Sequence, residues 1–176
     1  KDDIDLLLLV SKIFEKLNLV DIELSINSIG SATDRKKYSQ ELTKHFNMYN
    51  KELSDSQLNT LANNPMRLLD SKDPKLESII SSAPLITDFL NKESQDTFNS
   101  IKERLDALKI SYKHDTKLVR GLDYYNDLVF EWKTDKLGTQ DAVCAGGRYD
   151  NLSETIGGKS VPSVGFAMGL DRITEL

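Results

Sequence analysis

Hydrophobic positions fall with two different periods along this chain. Residues 3–17 place Ile4, Leu7, Leu8, Ile13, Phe14 and Leu17 at helical spacing, with Asp2 or Asp3 in the capping position, which predicts a helix. The next stretch, VDIELSINSIG, alternates Val20, Ile22, Leu24 and Ile26 with Asp21, Glu23, Ser25 and Asn27. Period two over that length predicts a half-buried strand ending at Gly30. From about Asp34 to Lys109 the helical period returns, broken at Asn63-Asn64-Pro65, Asp73-Pro74 and Ala83-Pro84. Tyr38, Leu42, Phe46, Tyr49 and Leu53 form one apolar stripe there, and Phe98, Ile101, Leu105 and Leu108 form another.

Strand spacing resumes after Lys109. A short strand is expected over 111–115 and a longer one over 127–134, where Leu128, Phe130 and Trp132 alternate with Val129, Glu131 and Lys133. Leu137-Gly138-Thr139 then turns the chain into a hairpin partner at about 142–145. A short helix follows to Ile156, then a turn at Gly157-Gly158, an apolar strand in SVGFAMG and the start of a helix in LDRITEL. Hairpin-linked strands argue for an antiparallel sheet. The expected fold class is α+β: an antiparallel sheet flanked by helices, built from residues 1–33 and 110–176, with an all-α lobe over 34–109 inserted between strands.

Composition narrows the field without naming a function. Net charge is −5, and residues 34–110 balance 12 basic against 12 acidic side chains, so there is no bulk positive footprint for nucleic acid. No apolar stretch is long enough to cross a bilayer. LLLLV at 6–10 stands behind Asp2, Asp3 and Asp5, the reverse of the basic front of a signal peptide. The single cysteine, Cys144, cannot form an internal disulfide, which fits a reducing, cytoplasmic setting. The chain begins without Met and stops at Leu176 inside a helix that has barely begun, so it reads as a piece of a longer protein.

The candidate chemistry lies in three segments of the last third. In LVRGLDYYNDLVFEW, Arg120 opens a strand between Val119 and Gly121. A partly enclosed guanidinium must be paired. Either Asp123 or Glu131 pairs it structurally, or it clamps a carboxylate or phosphate with its bidentate fork. Tyr124 and Tyr125 point to opposite faces if they lie in a strand, so only one would join Arg120 unless a bulge intervenes. In AGGRYD, paired glycines make a tight bend or admit a ligand, and Arg148 and Tyr149 repeat the Arg/Tyr theme; two such segments on neighbouring strands would converge on one cleft. In GFAMGLDR, Gly165, Ala167 and Gly169 share a nearly bare face, suited to close packing or to a flat ring, with Arg172 placed to stack on that ring or bind its phosphates. Arg120, Arg148 and Arg172 are expected to gather over one sheet surface. No metal is expected: His45 and His114 lack neighbouring ligands, and His45 falls on the helical stripe as a structural residue. There is no nucleophilic triad, Walker loop or dinucleotide fingerprint. The inventory favours electrostatic catalysis by cations.

Taken together, LVRGLDYYNDLVFEW, CAGGRYDNL and PSVGFAMGLDR resemble the two histidine-specific signatures and the third class II motif of histidyl-tRNA synthetases. ELSINSIGS followed by a helical insertion resembles the bacterial form, and the likeness runs in order across the chain. The resemblance implies a class II catalytic domain, partial here, with the helical lobe inserted after the second motif. It implies ATP with its Mg²⁺, histidine and the cognate tRNA as substrates, a histidyl-adenylate intermediate, and a homodimer. Arg120 would bridge the histidine carboxylate and the α-phosphate. Tyr124, Tyr125 and Tyr149 would wall the histidine pocket, and Arg172, with Gly169 beneath it, would hold ATP. Asp171 stands where many members carry Glu.

The first two class II motifs, the upstream residues that read the imidazole and the C-terminal anticodon-binding domain are not in this chain, which is therefore expected to be inactive alone. Lys37, Lys44 and Lys51 recur every seven residues, as a solvated helix face or as an acceptor-stem contact. A non-catalytic relative, the histidyl-synthetase-like regulatory subunit of ATP phosphoribosyltransferase, is the alternative. It generally lacks the long insertion and the arginine signatures that this chain keeps.

Overall fold

The structure, a computed structural model, describes residues 1–138 and 141–176; the turn expected at Leu137-Gly138-Thr139 therefore lies partly outside them. Five strands form one sheet in the order β2-β1-β3-β4-β5, with β1 Glu23–Ser28, β2 Lys113–His114, β3 Asn126–Lys133, β4 Ala142–Arg148 and β5 Val164–Met168. The helices are α1 Asp2–Lys16, α2 Ala32–Asn47, α3 Asp55–Asn63, α4 Glu77–Ser81, α5 Lys92–Ala107, α6 Leu152–Thr155 and α7 Leu170–Glu175. The sheet is antiparallel except where β1 pairs with β2 in parallel, Ser25 opposite Lys113 and Ile26 opposite His114. The expectation of a wholly antiparallel sheet is corrected at that edge. Between β1 and β2 the chain passes through α2 to α5, a crossover long enough to bring it back in the same direction.

Strand alternation gives the sheet two buried faces. Leu24, Ile26, Leu128, Phe130, Trp132, Val143 and Cys144 pack with α1 and with Phe98, Ile101 and Leu105 of α5. On the other face Val129, Leu118, Val119 and Tyr125 pack with Tyr38, Leu42 and Phe46 of α2 and with the segments that follow it. The two helical stripes thus serve opposite faces, and Leu108, at the end of the second stripe, is exposed. β1 was expected to be half-buried, but every residue after Glu23 is buried. Its polar face meets hydrogen bonds instead of water: Asn27 donates from Nδ2 to the Leu118 carbonyl at 2.9 Å. His45 is buried with Nε2 2.9 Å from the Ile79 carbonyl, a structural role.

The helical segment leaves the sheet at Ser31 and returns at Asn91, and both ends are fastened to one carboxylate. Ser31 and Asp34 form a capping box at the start of α2. Asp34 Oδ2 also accepts from Asn91 Nδ2 at 2.9 Å, and Ser94 on α5 reaches on to Asp127 Oδ1 at 2.8 Å. Asp34 is 1% exposed and accepts from Ser31, Asn91 and Ser94, so its loss would leave all three donors without that partner. D34A should lower the free energy of unfolding by about 2–3 kcal/mol, read as a lower urea midpoint at unchanged slope.

Candidate active site

Arg120 sits in the segment between β2 and β3, and its position follows from what it is paired with. Its Nη1 donates to Glu131 Oε1, and Glu131 Oε2 accepts from Lys133 Nζ at 2.9 Å. Glu131 and Lys133 lie two apart on β3 and so point the same way. Of the two partners considered from sequence, the structure selects Glu131; Asp123 instead accepts from Asn64 Nδ2 at 2.6 Å. The Glu131 side chain is 12% exposed and that of Arg120 25%. Burial works against the Lys133 ammonium, but Glu131 first, with Asp141 and Asp115, outweighs it and raises its pKa. Arg120 Nε is buried with no hydrogen-bond partner among the described residues. The guanidinium is thus held by one carboxylate and still lines the open cleft beyond it.

Two tyrosines line the cleft with Arg120, and a third packs against them. Tyr124 and Tyr125 precede β3, so strand alternation does not separate them, and their ring centroids are 4.6 Å apart. Tyr149 closes on both, 5.8 Å from Tyr124 and 6.1 Å from Tyr125, near-perpendicular to each. Two glycines that oppose each other across β4 and β5 make room for them. A Cβ on Gly147 would lie 2.8 Å from the Tyr125 ring, and one on Gly165 would lie 2.4 Å from the Tyr149 hydroxyl. Burial first, then a hydrogen bond with Tyr124, pushes the Tyr125 pKa up to about 12.

The cleft, about 540 Å³, runs from Arg120, Tyr124 and Tyr125 across Ala145 and Ala167 to Gly169 and Arg172. Ala145 and Ala167 are opposite each other in the ladder and form its floor. The bare strip expected from GFAMG is therefore open at Ala167 and Gly169 but covered at Gly165 by Tyr149. Arg172 lies in the first turn of α7, its aliphatic stem against Gly169 and its Nη1 donating to the Ala142 carbonyl.

Arg148 does not join this cleft, contrary to expectation. It is three residues from the floor residue Ala145, so β4 turns it to the opposite face. There it grips Asp3 of α1 twice, Nε to Oδ1 at 3.0 Å and Nη2 to Oδ2 at 2.7 Å, and Asp150 at 2.9 Å. Asp3 is therefore a buried ion partner and not a helix cap; Lys1 occupies the cap position of α1 without a side-chain bond. Lys37 and Lys44 are exposed on α2, Lys44 paired with Glu41 at 2.6 Å, whereas Lys51 lies past the end of the helix. The seven-residue spacing is thus a helix face for two of the three. The arrangement that sequence reasoning did not assemble is Glu131 shared by Arg120 and Lys133, and the Gly147–Gly165 pair; both need the strand register. A larger hollow of about 880 Å³ lies at the β1–β2 end, lined by charges of both signs such as Asp21, Lys113 and Asp141, without the aromatic wall or the small-residue floor.

The tyrosines, the paired Arg120 and the two-strand floor are drawn from all three of the sequence segments singled out above. The histidyl-tRNA synthetase family model matches residues 2–173, across all three segments. The chain belongs to the histidyl-tRNA synthetase family. It is 44% identical to the histidine–tRNA ligase of Hydrogenovibrio crunogenus over 174 residues, 99% of this chain and 41% of that protein. It is 46% identical to that of Ruthia magnifica over 176 residues, all of this chain and 42% of that protein. Among solved structures it is similar to apo S. aureus histidyl-tRNA synthetase, with a TM-score of 0.75 at 36% identity over 98% of this chain and 42% of that one. The fold is shared with a Bacillus halodurans protein described as an ATP phosphoribosyltransferase regulatory subunit/histidyl-tRNA synthetase, TM-score 0.63 at 20% identity, covering 99% of this chain and 49% of that one. The chain thus spans about two fifths of the length of the curated histidyl-tRNA synthetases it matches.

The neutral Tyr125 has a consequence at high pH. A tyrosine ionises near about pH 10 when unfolded, and Tyr125 near about 12 in the fold. Its contribution to stability is complete below the lower value and is lost as pH rises through the upper one. The stability difference between wild type and Y125F should therefore shrink from about pH 10 to about pH 12, measured by denaturant titration at each pH.

Proposed function

We propose that the full protein ligates L-histidine to its cognate tRNA through a histidyl-adenylate, and that this chain supplies one wall of the site. The supporting observation is the juxtaposition of Arg120 and the tyrosines with a side-chain-poor floor that ends at Arg172. Attack of a histidine carboxylate on the α-phosphate of ATP brings two anions together. A fixed guanidinium that touches both neutralises the charge as it builds and needs no reorganisation to do so. Arg120 fits that role: Glu131 fixes it from behind and the cleft lies in front. Tyr124 and Tyr125 line the cleft, with Tyr149 packed against both, and offer an aromatic face and hydroxyl groups to a small heteroaromatic side chain. Ala145, Ala167 and Gly169 let an adenine lie against the sheet, with Arg172 reaching it from α7. Magnesium enters with the nucleotide as its metal. Pyrophosphate leaves, and the histidyl group passes to the terminal adenosine of the tRNA.

On this reading residues 1–33 and 110–176 belong to the catalytic domain and 34–109 to the inserted lobe, and the full protein is a cytoplasmic homodimer. Lys37, Lys44 and Lys51 of the lobe approach the acceptor stem. The sensor alternative has less support, because the curated relatives at 44% and 46% identity are named ligases, whereas the regulatory-subunit likeness stands at 20% identity and carries the fold alone.

ATP–pyrophosphate exchange tests the reading. The full-length protein should exchange with histidine, and the 176-residue chain alone should not; exchange by the short chain at the full-length rate would refute the assignment of essential groups elsewhere. R120A in the full-length protein should lower kcat for exchange by about 10²–10³-fold, and R120K should not restore it, because an ammonium lacks the two-pronged fork. Replacing Lys37, Lys44 and Lys51 together should weaken tRNA binding and flatten its dependence on salt, measured by filter binding over a range of ionic strength.

A further inference from the structure

The cleft does not use Arg148, yet Arg148 is the centre of a hydrogen-bonded chain that ends on both sides of the tyrosine wall. It starts at Asp3 in α1 and crosses Arg148 to Asp150. Asp150 Oδ1 also accepts from the Ser163 amide at 2.8 Å, and Asp150 Oδ2 from Asn126 Nδ2 at 3.1 Å. Asn126 returns the contact, its Oδ1 accepting from the Asp150 amide at 2.8 Å. Tyr125 is the residue before Asn126, and Tyr149 lies between Arg148 and Asp150. The Tyr149 amide is itself bound to the Ser163 carbonyl at 2.8 Å.

The two segments need such a fastening. Asn126 and Arg148 pair across β3 and β4, but the next pairing is Val129 with Gly147, so the ladder is interrupted just where Tyr125 enters it. Asp127, inside the interruption, has a φ of 48°. Where backbone pairing lapses, side-chain bonds must fix the chain. Burial opposes the Arg148 charge, but Asp3 and Asp150 outweigh it and hold the guanidinium above its ordinary pKa. A largely enclosed pair of this kind is costly to break.

We propose that Arg148, on the far side of the sheet from the cleft, is a positioning residue that sets the spacing of Tyr125 and Tyr149 through Asp150 and Asn126, and so governs recognition of the amino-acid side chain. The proposal rests on the functional reading given above for that wall. Misplacing the wall should weaken histidine binding and leave the nucleotide end, across Ala167 and Arg172, as it was. In the full-length protein, R148K retains an ion pair with Asp3 but cannot bridge to Asp150 as well. D150N and N126A cut the same link from its other end.

Each of these three variants should raise KM for histidine in ATP–pyrophosphate exchange by about tenfold while KM for ATP changes by less than about twofold. V10A trims the same core face, where Val10 is fully buried, and should lower the thermal midpoint without altering the ratio of the two KM values. A readout that needs no reaction is the proton NMR contact between the Tyr125 and Tyr149 rings in the ligand-free protein, which should weaken in R148K, D150N and N126A and persist in V10A. Melting changes with an unchanged KM ratio would overturn the proposal and reduce Arg148 to a structural tie, as would ring contacts that survive in all variants. A wild type that does not exchange with histidine, together with ring contacts that weaken as expected, would overturn the functional reading and leave the positioning role standing.

Discussion

A guanidinium taken out of water must meet a carboxylate or destabilise the fold by several kcal/mol. Two arginines beside the central strands meet this requirement on opposite sides of one sheet. Arg120 finds Glu131 on the face that carries the cleft, and Arg148 finds Asp3 on the face that carries α1. The first pairing leaves a cation at the edge of open space. The second is largely enclosed and joins helix to sheet. The same residue type thus borders a cleft in one place and ties helix to sheet in the other, and the difference is the face of the sheet on which its carboxylate partner stands.

The cleft depends equally on what is missing from the sheet. Gly147 and Gly165 oppose each other in the ladder, and the rings of Tyr125 and Tyr149 occupy the space where their side chains would stand. The neighbouring pair, Ala145 and Ala167, is scarcely larger and stays uncovered. A single two-strand strip therefore grades from aromatic-covered to bare within one step of the ladder. That gradation sets an aromatic-covered end beside an open, side-chain-poor end on one continuous surface.

Much of this was legible in the chain. The alternation of Leu128, Phe130 and Trp132 set the face of β3, and the apolar spacing in α2 set the face of the helical segment. Glu131 was one of two partners open to Arg120. The errors have particular physical sources. Arg148 was grouped with Arg120 and Arg172 because its motif repeats theirs, although counting by twos from Ala145 assigns it to the other face. Tyr124 and Tyr125 would part to opposite faces only within a strand, and they precede β3, which begins at Asn126. The polar face of β1 was read as solvated because nothing local says that a distant helical segment will cover it. The parallel edge at β2 likewise follows from the length of the crossover, a property of the whole connection and not of the two residues that pair.

The Asp34 carboxylate brings together the point where the helical segment departs and the point where it rejoins, with Asn91 Nδ2 3.4 Å from Ser31 Oγ. A long excursion is thus tied off at its neck like a pouch on a drawstring. Changes of length within the pouch need not propagate into the strands, because the separation of the two stalks is fixed before the chain sets out and again when it comes home. Such an arrangement decouples the outer helices from the strands that carry the aromatic wall.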